Sequence, residues 1–345
     1  MTVRFATPDE IKNWNDRVVS NPDGGNIFQG REFAEQKKLG GWTPRFIVAD
    51  DISITALEKR FLFHKLWYLP KGPGITSVRE LDELLPGLKT FARSNGVFAI
   101  KVEPELTKKD ETLADLLKLG LVKTRPIQPN FSTVTLDISQ DLSAVLASLN
   151  QKGRHAIRRA ERDGVTVQRV EATDENCRAM YDLLALTAKG SFAIRSYNYY
   201  KTFWQRYEKA GLGQLFFAYF EGKAVAGAYA LVLGKKSTYK DGASVRERTA
   251  YGASHLLQWE VIKWAKENGS QLHDFCGAPP SDQINNPDHP HYGIGRFKTS
   301  FNKEVTDYVG AYDVVVQPLT YKLWTKIGER LVRRIYTYRH HENYY

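Results

Sequence analysis

The chain has 345 residues, 42% hydrophobic and 26% charged, with 49 Lys and Arg against 39 Asp and Glu for a formal net charge of +10. That length suits two domains of ordinary size, and the positive field favours polyanionic partners: nucleic acid, an anionic membrane face or a nucleotide-linked substrate. Two cysteines, Cys177 and Cys276, lack the spacing of a disulfide framework or a zinc site, and neither a signal peptide nor a bilayer-spanning stretch is present, so a cytoplasmic protein is expected.

The chain opens with a strand at Val3 to Ala6, and Thr7 then caps a short helix with Pro8 in its first turn. A helix from Gln29 to Leu39 stops at Gly40-Gly41. Strand-like runs follow at Arg45 to Ala49, Ile52 to Leu57 and Lys65 to Leu69, ended by the turn Pro70-Lys71-Gly72-Pro73-Gly74. A helix over Val78 to Asn95, a strand over Val97 to Val102 and a helix over Glu111 to Leu119 come next. After the strand Thr133 to Ile138, a capping stretch opens a helix predicted to run unbroken from Leu142 to Asp163. The same order then recurs: a strand at Val165 to Val170, a helix from Thr173, an aromatic helix at Tyr197 to Ala210, and strands at Gln214 to Phe220, Lys223 to Leu233 and Thr238 to Lys240. A helix over Ala253 to Asn268 carries Ala253, Leu257, Val261 and Trp264 on one face, and the strand Gln271 to Phe275 follows. This repetition predicts a mixed α/β chain of two related units.

No GxSxG elbow and no phosphate-binding GxxxxGK[ST] loop occur, and the histidines of Asn286-Pro287-Asp288-His289-Pro290-His291 have no second ligand pair nearby, so no metal is expected. Several segments in order carry a resemblance. They are Phe28-Gln29 with Phe33 and Lys37; Ile127-Gln128-Pro129 ahead of Thr133 to Asp137; Asn150 to Val165; His273-Asp274-Phe275-Cys276-Gly277; and Gly295-Arg296-Phe297-Lys298-Thr299-Ser300-Phe301, followed by Asp307-Tyr308-Val309-Gly310-Ala311-Tyr312-Asp313. Together they resemble the FemABX family of peptidoglycan peptide-bridge aminoacyltransferases.

The resemblance implies two acetyltransferase-like (GNAT-like) domains, residues 1–140 with 316–345 and residues 141–315, without the helical arm that some members insert. It implies a monomer that takes an amino acid from aminoacyl-tRNA, without a cofactor, and adds it to the stem peptide of UDP-MurNAc-pentapeptide or lipid II, with peripheral contact at the inner membrane face. An aminoacyl ester is already activated, so the site has only to align amine and ester, exclude water and stabilise an oxyanion.

Lys298 matches the family lysine and is expected to stabilise the tetrahedral intermediate, with Phe297 stacking on the terminal adenosine. The plainer alternative makes Phe297 core and Lys298 a solvated strand residue. Glu103 is a candidate proton acceptor for the attacking ammonium, and equally a structural carboxylate. Lys37, Arg195 and Tyr199 match precursor-binding positions, the last two being placed on one helical face, while the plainer alternatives make Lys37 an exposed helix residue and Arg195 an ion-pair partner at a helix start. Tyr239 is carried over as a precursor contact. Asp241 stands where a second tyrosine is usual; it would repel a phosphate or accept a precursor amine. Arg154, Arg158 and Arg162 form one helical stripe, suited to an acceptor stem or, for those near the helix C-terminus, equally explained by the helix dipole. Lys322, Lys326, Arg330, Arg333 and Arg334 on the last helix suit either tRNA or a membrane. Two other readings remain open: an acyl-CoA N-acyltransferase using the turn Arg248 to Ser254 before a helix, and a non-enzymatic RNA-binding module.

Overall fold

A computed structural model of the chain describes residues 1–61, 63–128, 131–188, 193–245 and 250–340. Contacts divide it into two units, Met1–Phe131 with the chain from Tyr308 onward, and Ser132–Asp307.

In unit 1 a seven-stranded sheet runs in the order Val3–Phe5, Thr43–Ala49, Ile52–Phe61, His64–Leu69, Val97–Val102, Ala311–Val315, Val122–Thr124. Only His64–Leu69 and Val97–Val102 pair in parallel among these strands, and the connection between them holds the helix Val78–Ser94. That helix starts in a capping box of Ser77 and Glu80 and buries Leu81, Leu84, Leu85, Leu88 and Ala92 along one face. Val97–Val102 is buried at every position, its apolar side chains as expected of a strand covered on both faces and Lys101 through its pairing with Asp313 at 2.9 Å.

Unit 2 repeats the plan. Its six-stranded sheet runs Thr135–Asp137, Leu272–Asp274, Lys236–Ser244, Lys223–Leu233, Gly213–Phe220, Thr166–Val170. Lys236–Ser244 and Leu272–Asp274 are the parallel pair, and the helix Ala253–Glu267 lies in their connection. Three antiparallel strands, a crossover helix and a parallel strand thus occur in each unit, which is the acetyltransferase-like arrangement expected from the sequence. Among the described residues no helical arm interrupts the stretch between Tyr197 and Gly222, which holds the helix Tyr197–Lys209 and the strand Gly213–Phe220.

The unit boundaries fall earlier than the sequence placed them, at Ser132 in place of 141 and at Tyr308 in place of 316. Pairing is the reason. Thr135–Asp137 is antiparallel to Leu272–Asp274, so this strand belongs to unit 2. Tyr308 and Val309 donate their amides to the carbonyls of Phe131 and Leu106, so the returning chain joins unit 1 before its strand begins.

The helix predicted over Leu142 to Asp163 is two helices, Leu142–Ser148 and Gln151–Arg162, because Leu149 and Asn150 have ψ of 152° and 143°. The guanidinium of Arg154 donates to the Ala147 carbonyl at 2.8 Å and to the Leu149 carbonyl, satisfying acceptors that the break leaves open. The predicted Gln29 to Leu39 helix is also divided, into a 3-10 turn at Ile27–Gln29 and the helix Arg31–Lys37, with Gly30 extended between them.

Candidate functional site

Lys298 ends the helix Tyr292–Lys298 and is buried, not the solvated strand residue of the plainer alternative. Its ammonium donates to the carbonyls of Cys276 and, at 2.6 Å, Gly277. Cys276 has a φ of 58°, so the chain turns through the left-handed region here, and its amide is held at 2.7 Å by the Asp274 carboxylate. Burial lowers the proton affinity of Lys298, with Cys276 and Asp274 opposing the shift. Gly295, one turn earlier, packs so closely on Pro279 and Ile284 that a side chain there would collide with both, which fixes the helix against the loop.

Phe297 is half-buried against the unit 2 core and meets His255 and Phe301 edge-on, at 5.0 and 5.5 Å between ring centroids. His255 also reaches the Ser300 hydroxyl at 3.1 Å, and burial lowers its pKa to about 4. Beneath this cluster the fully buried His273 bridges Ser237 (2.8 Å) and Gln258 (2.7 Å). Burial, then Lys298, lower its pKa to about 3.

A second group in unit 2 is a row of rings ending in an ion pair. The Arg195 guanidinium lies 4.8 Å from the Tyr199 ring centroid. Tyr199 meets Tyr200 at 6.0 Å, and Tyr200 meets Trp204 at 5.3 Å. Trp204 donates its indole N–H to Asp241 at 3.0 Å, and Lys240 pairs with the other Asp241 oxygen at 3.1 Å. Burial, then Asp241, push the Tyr200 phenol up to about 12. Although burial works against it, Asp241 and Tyr200 hold the Lys240 ammonium above its ordinary proton affinity.

Arg195 and Tyr199 do not share a helical face. Arg195 precedes the N-cap Ser196, and the two meet because Arg195 folds back over the first turn, with Tyr181 holding its carbonyl at 3.1 Å. The strand Lys236–Ser244 carries a bulge at Lys240: Ala230 pairs with Tyr239 while the adjacent Tyr229 pairs with Asp241. Tyr239 is half-buried, its proton affinity for the phenolate raised by burial and by Asp241, and its hydroxyl occupies the space where Gly242 lacks a side chain. The charge of Asp241 is thus balanced by Lys240 within the strand itself.

Arg154 is withdrawn from the basic stripe by its carbonyl contacts, whereas Arg158 and Arg162 are exposed on the same helix. Arg162 lies 3.6 Å from Asp163, and Arg159 stacks on Tyr251 at 4.6 Å. In the turn before Ala253, Arg248 and Thr249 lie outside the described residues. Gly252 has a φ of 79° and packs against the Ala156 carbonyl, where a β-carbon would collide. The amides of Ala253 and His255 already donate to Ala250 and Gly252.

In unit 1, Glu103 is buried and accepts from the Tyr68 hydroxyl at 2.6 Å and from the amides of Ile127 and Gln128 at 2.5 and 3.3 Å. Burial nonetheless pushes its carboxyl above the usual range. It borders a small pocket whose wall includes Lys71, Gln128, Phe131 and Tyr308. Lys71 was read from the sequence only as part of a turn. Its ammonium lies 3.6 Å from Glu105 and 5.3 Å from the Tyr308 ring centroid. The signal for it was its place, directly after the strand that forms the parallel pair. Lys37 is buried at the end of its helix with its ammonium 5.2 Å from the Phe33 ring centroid, and it is not among the residues lining that pocket. Among the described residues no cluster of His, Cys, Asp and Glu could hold a metal ion, and no helix is long and apolar enough to cross a membrane.

A model of the FemAB family matches residues 119–223 and 214–328, more than half of the chain. The chain belongs to the FemAB family. Its relatives include the lipid II:glycine glycyltransferase of Staphylococcus aureus strain MRSA252, 24% identical over 403 aligned positions that cover 92% of this chain and 94% of that protein. The protein of the same name from strain USA300 is 23% identical over 405 positions, covering 92% and 95%. Both alignments exceed this chain in length, so these FemAB relatives carry insertions that it lacks. Among solved structures, that of FemX matches with a TM-score of 0.79 at 22% identity, covering 94% of this chain and 99% of the other. L-PGS from Bacillus licheniformis matches at 0.54 with 12% identity, covering 94% and 98%. These likenesses show the fold. Lys298, Arg195 and Tyr239 lie inside the segments matched by the FemAB model, and Lys37 and Glu103 precede them.

Proposed function

We propose that the chain is an aminoacyltransferase that moves an amino acid from aminoacyl-tRNA to the stem-peptide amine of a peptidoglycan precursor. Family membership and the name of the staphylococcal relatives support the reaction class. The observation that carries the chemistry is the buried ammonium of Lys298, held by two carbonyls on a left-handed turn. An ammonium has three N–H donors. Two are engaged here, and the third serves the oxygen on which charge develops when the amine attacks the ester carbonyl. Collapse of that intermediate forms the amide and breaks the ester C–O bond, and the terminal ribose hydroxyl departs with a proton. A preorganised cation in a dry setting stabilises the intermediate more than the ester, which is how it raises turnover.

The remaining roles follow the same reading. Phe297 offers the exposed part of its ring to the terminal adenosine, and the exposed Arg158 and Arg162 meet phosphates of the acceptor stem. Lys37, Arg195, Tyr199 and Tyr239 contact the precursor, whose pyrophosphate and carboxylates suit cations and phenols. Glu103, with its raised proton affinity, accepts the proton that the attacking ammonium must lose.

Coenzyme A as the acyl donor is less well supported, because two of the three first-turn amides of Ala253–Glu267 are already bonded and the Ala156 carbonyl faces that turn. The test is incubation of the protein with total charged tRNA and, separately, UDP-MurNAc-pentapeptide and lipid II, followed by mass spectrometry of the peptide. Gain of one aminoacyl residue on either precursor is expected. No gain on both, with calorimetric binding of coenzyme A, would overturn the reading.

A further inference from the structure

We propose that the C-terminal helical segment is a docking surface for an anionic lipid bilayer. The segment runs through Pro318–Leu323, a π-helical turn at Trp324–Gly328 and Glu329–His340. Its inner side is accounted for. Trp324 is buried with Leu66, Phe98 and Ala99, its ring 5.6 Å from that of Phe98, and Tyr321 and Val332 pack on the same cluster.

Another side of the same segment is apolar and uncovered. Leu319, Leu323, Ile327, Leu331 and Ile335 recur every fourth residue and are all exposed, Leu319 by 86% and Ile327 by 60%. On a regular α-helix a strict four-residue repeat drifts by about 40° per step. The π turn is wider than an α turn and takes back part of that drift where the row passes through it, so the apolar row stays closer to straight. Unit 1 packs on the segment through Trp324, Tyr321 and Val332, none of which belongs to the row.

Charge decides what covers it. Lys322, Lys326, Arg330, Arg333 and Arg334 are exposed beside the row, and Glu329 is the only acid between 318 and 340. An apolar strip edged by cations is complementary to a bilayer surface that offers acyl chains beneath anionic headgroups. A second copy of the chain would set like charge against like. A nucleic acid would use the cations and leave the leucines and isoleucines in water. This inference stands apart from the proposed reaction, since it needs neither substrate.

The test uses the full chain and vesicles of phosphatidylcholine, with or without 30% phosphatidylglycerol. Co-sedimentation is expected with the anionic vesicles and is expected to weaken with added salt. Lys326→Gln with Arg330→Gln should weaken it by about fivefold per charge removed. Ile327→Asp with Leu331→Asp should abolish it while circular dichroism stays unchanged. Because both native cysteines are buried, Leu319→Cys can carry an environment-sensitive fluorophore, whose emission should shift to the blue on the anionic vesicles. The proposal is overturned if the unmodified chain stays in the supernatant, if the Ile327→Asp, Leu331→Asp protein binds as before, or if the fluorophore does not shift. A dimer in sedimentation velocity that the aspartates dissociate, without vesicle binding, also overturns it.

Discussion

Lys298 is buried although an ammonium seldom is, and the two carbonyls that hold it make its removal costly in two separable ways. Lys298→Met leaves the acceptors of Cys276 and Gly277 without their donor, about 1–3 kcal/mol for each that stays buried, so the urea midpoint should fall. Turnover per folded molecule should fall by about two orders of magnitude while both substrates still bind, measured in single-turnover reactions at a temperature where the variant is folded. Normal turnover would end the catalytic assignment, and a defect confined to tRNA affinity would make Lys298 a clamp. His273 sets a pH limit on unit 2. Its pKa is lowered from 6.5 to about 3 by burial and by Lys298. Below the ordinary histidine range the unfolded chain binds a proton that the folded chain refuses, so this stability is present above pH 6.5 and is lost as pH falls toward 3. The loss approaches about 1.4 kcal/mol per pH unit. Urea midpoints at pH 7 and pH 5 should differ more in the native protein than in His273→Asn, and equal differences would remove His273 as the cause. Lys37→Ala and Arg195→Ala should each weaken precursor binding about tenfold or more, with tRNA binding kept. Calorimetry against the precursor measures this, and unchanged affinity in both variants would take them out of the site.

Helix breaks and strand bulges redirect side chains that a regular element would have placed elsewhere. The stripe Arg154, Arg158, Arg162 is real as helical geometry, yet the break at Leu149 and Asn150 gives Arg154 two carbonyls to satisfy. Arg154→Ala is accordingly expected to cost about 1 kcal/mol in denaturant unfolding, since two partly solvated carbonyls lose their donor, and to leave the Michaelis constant for tRNA unchanged. A rise in that constant without a loss of stability would return Arg154 to the stripe. The bulge at Lys240 works in the same way, placing Lys240 and Asp241 so that they pair with each other at 3.1 Å. The aromatic helix Tyr197–Lys209 supplies Tyr199, Tyr200 and Trp204 to one row, but Arg195 joins it from outside the helix, which the four-residue spacing alone had assigned to a shared face.

Across the whole molecule the net charge of +10 should make aminoacyl-tRNA use fall by about an order of magnitude or more over a few-fold rise in salt, if several phosphates are contacted. Arg158→Glu with Arg162→Glu should raise the Michaelis constant for tRNA and flatten that salt dependence; activity indifferent to salt would count against a phosphate footprint. The duplicated order of strands and helices was readable in the chain because apolar periodicity, capping residues and turn residues act within a few positions of one another. The cap at Thr7, the strand Val97–Val102 and the face of Ala253–Glu267 needed no distant partner to be recognised. The ordered motifs likewise singled out Lys298 as a candidate. What local signals could not decide was where a unit ends and what a polar side chain meets. Thr135–Asp137 belongs to unit 2 because of a strand more than a hundred residues later, and Lys71 reaches Tyr308 from the far end of the chain. Periodicity, caps and turns are short-range properties and are written in sequence. Burial, pairing and the proton affinities that follow from them are set by residues distant in the chain, and only the folded structure brings those together.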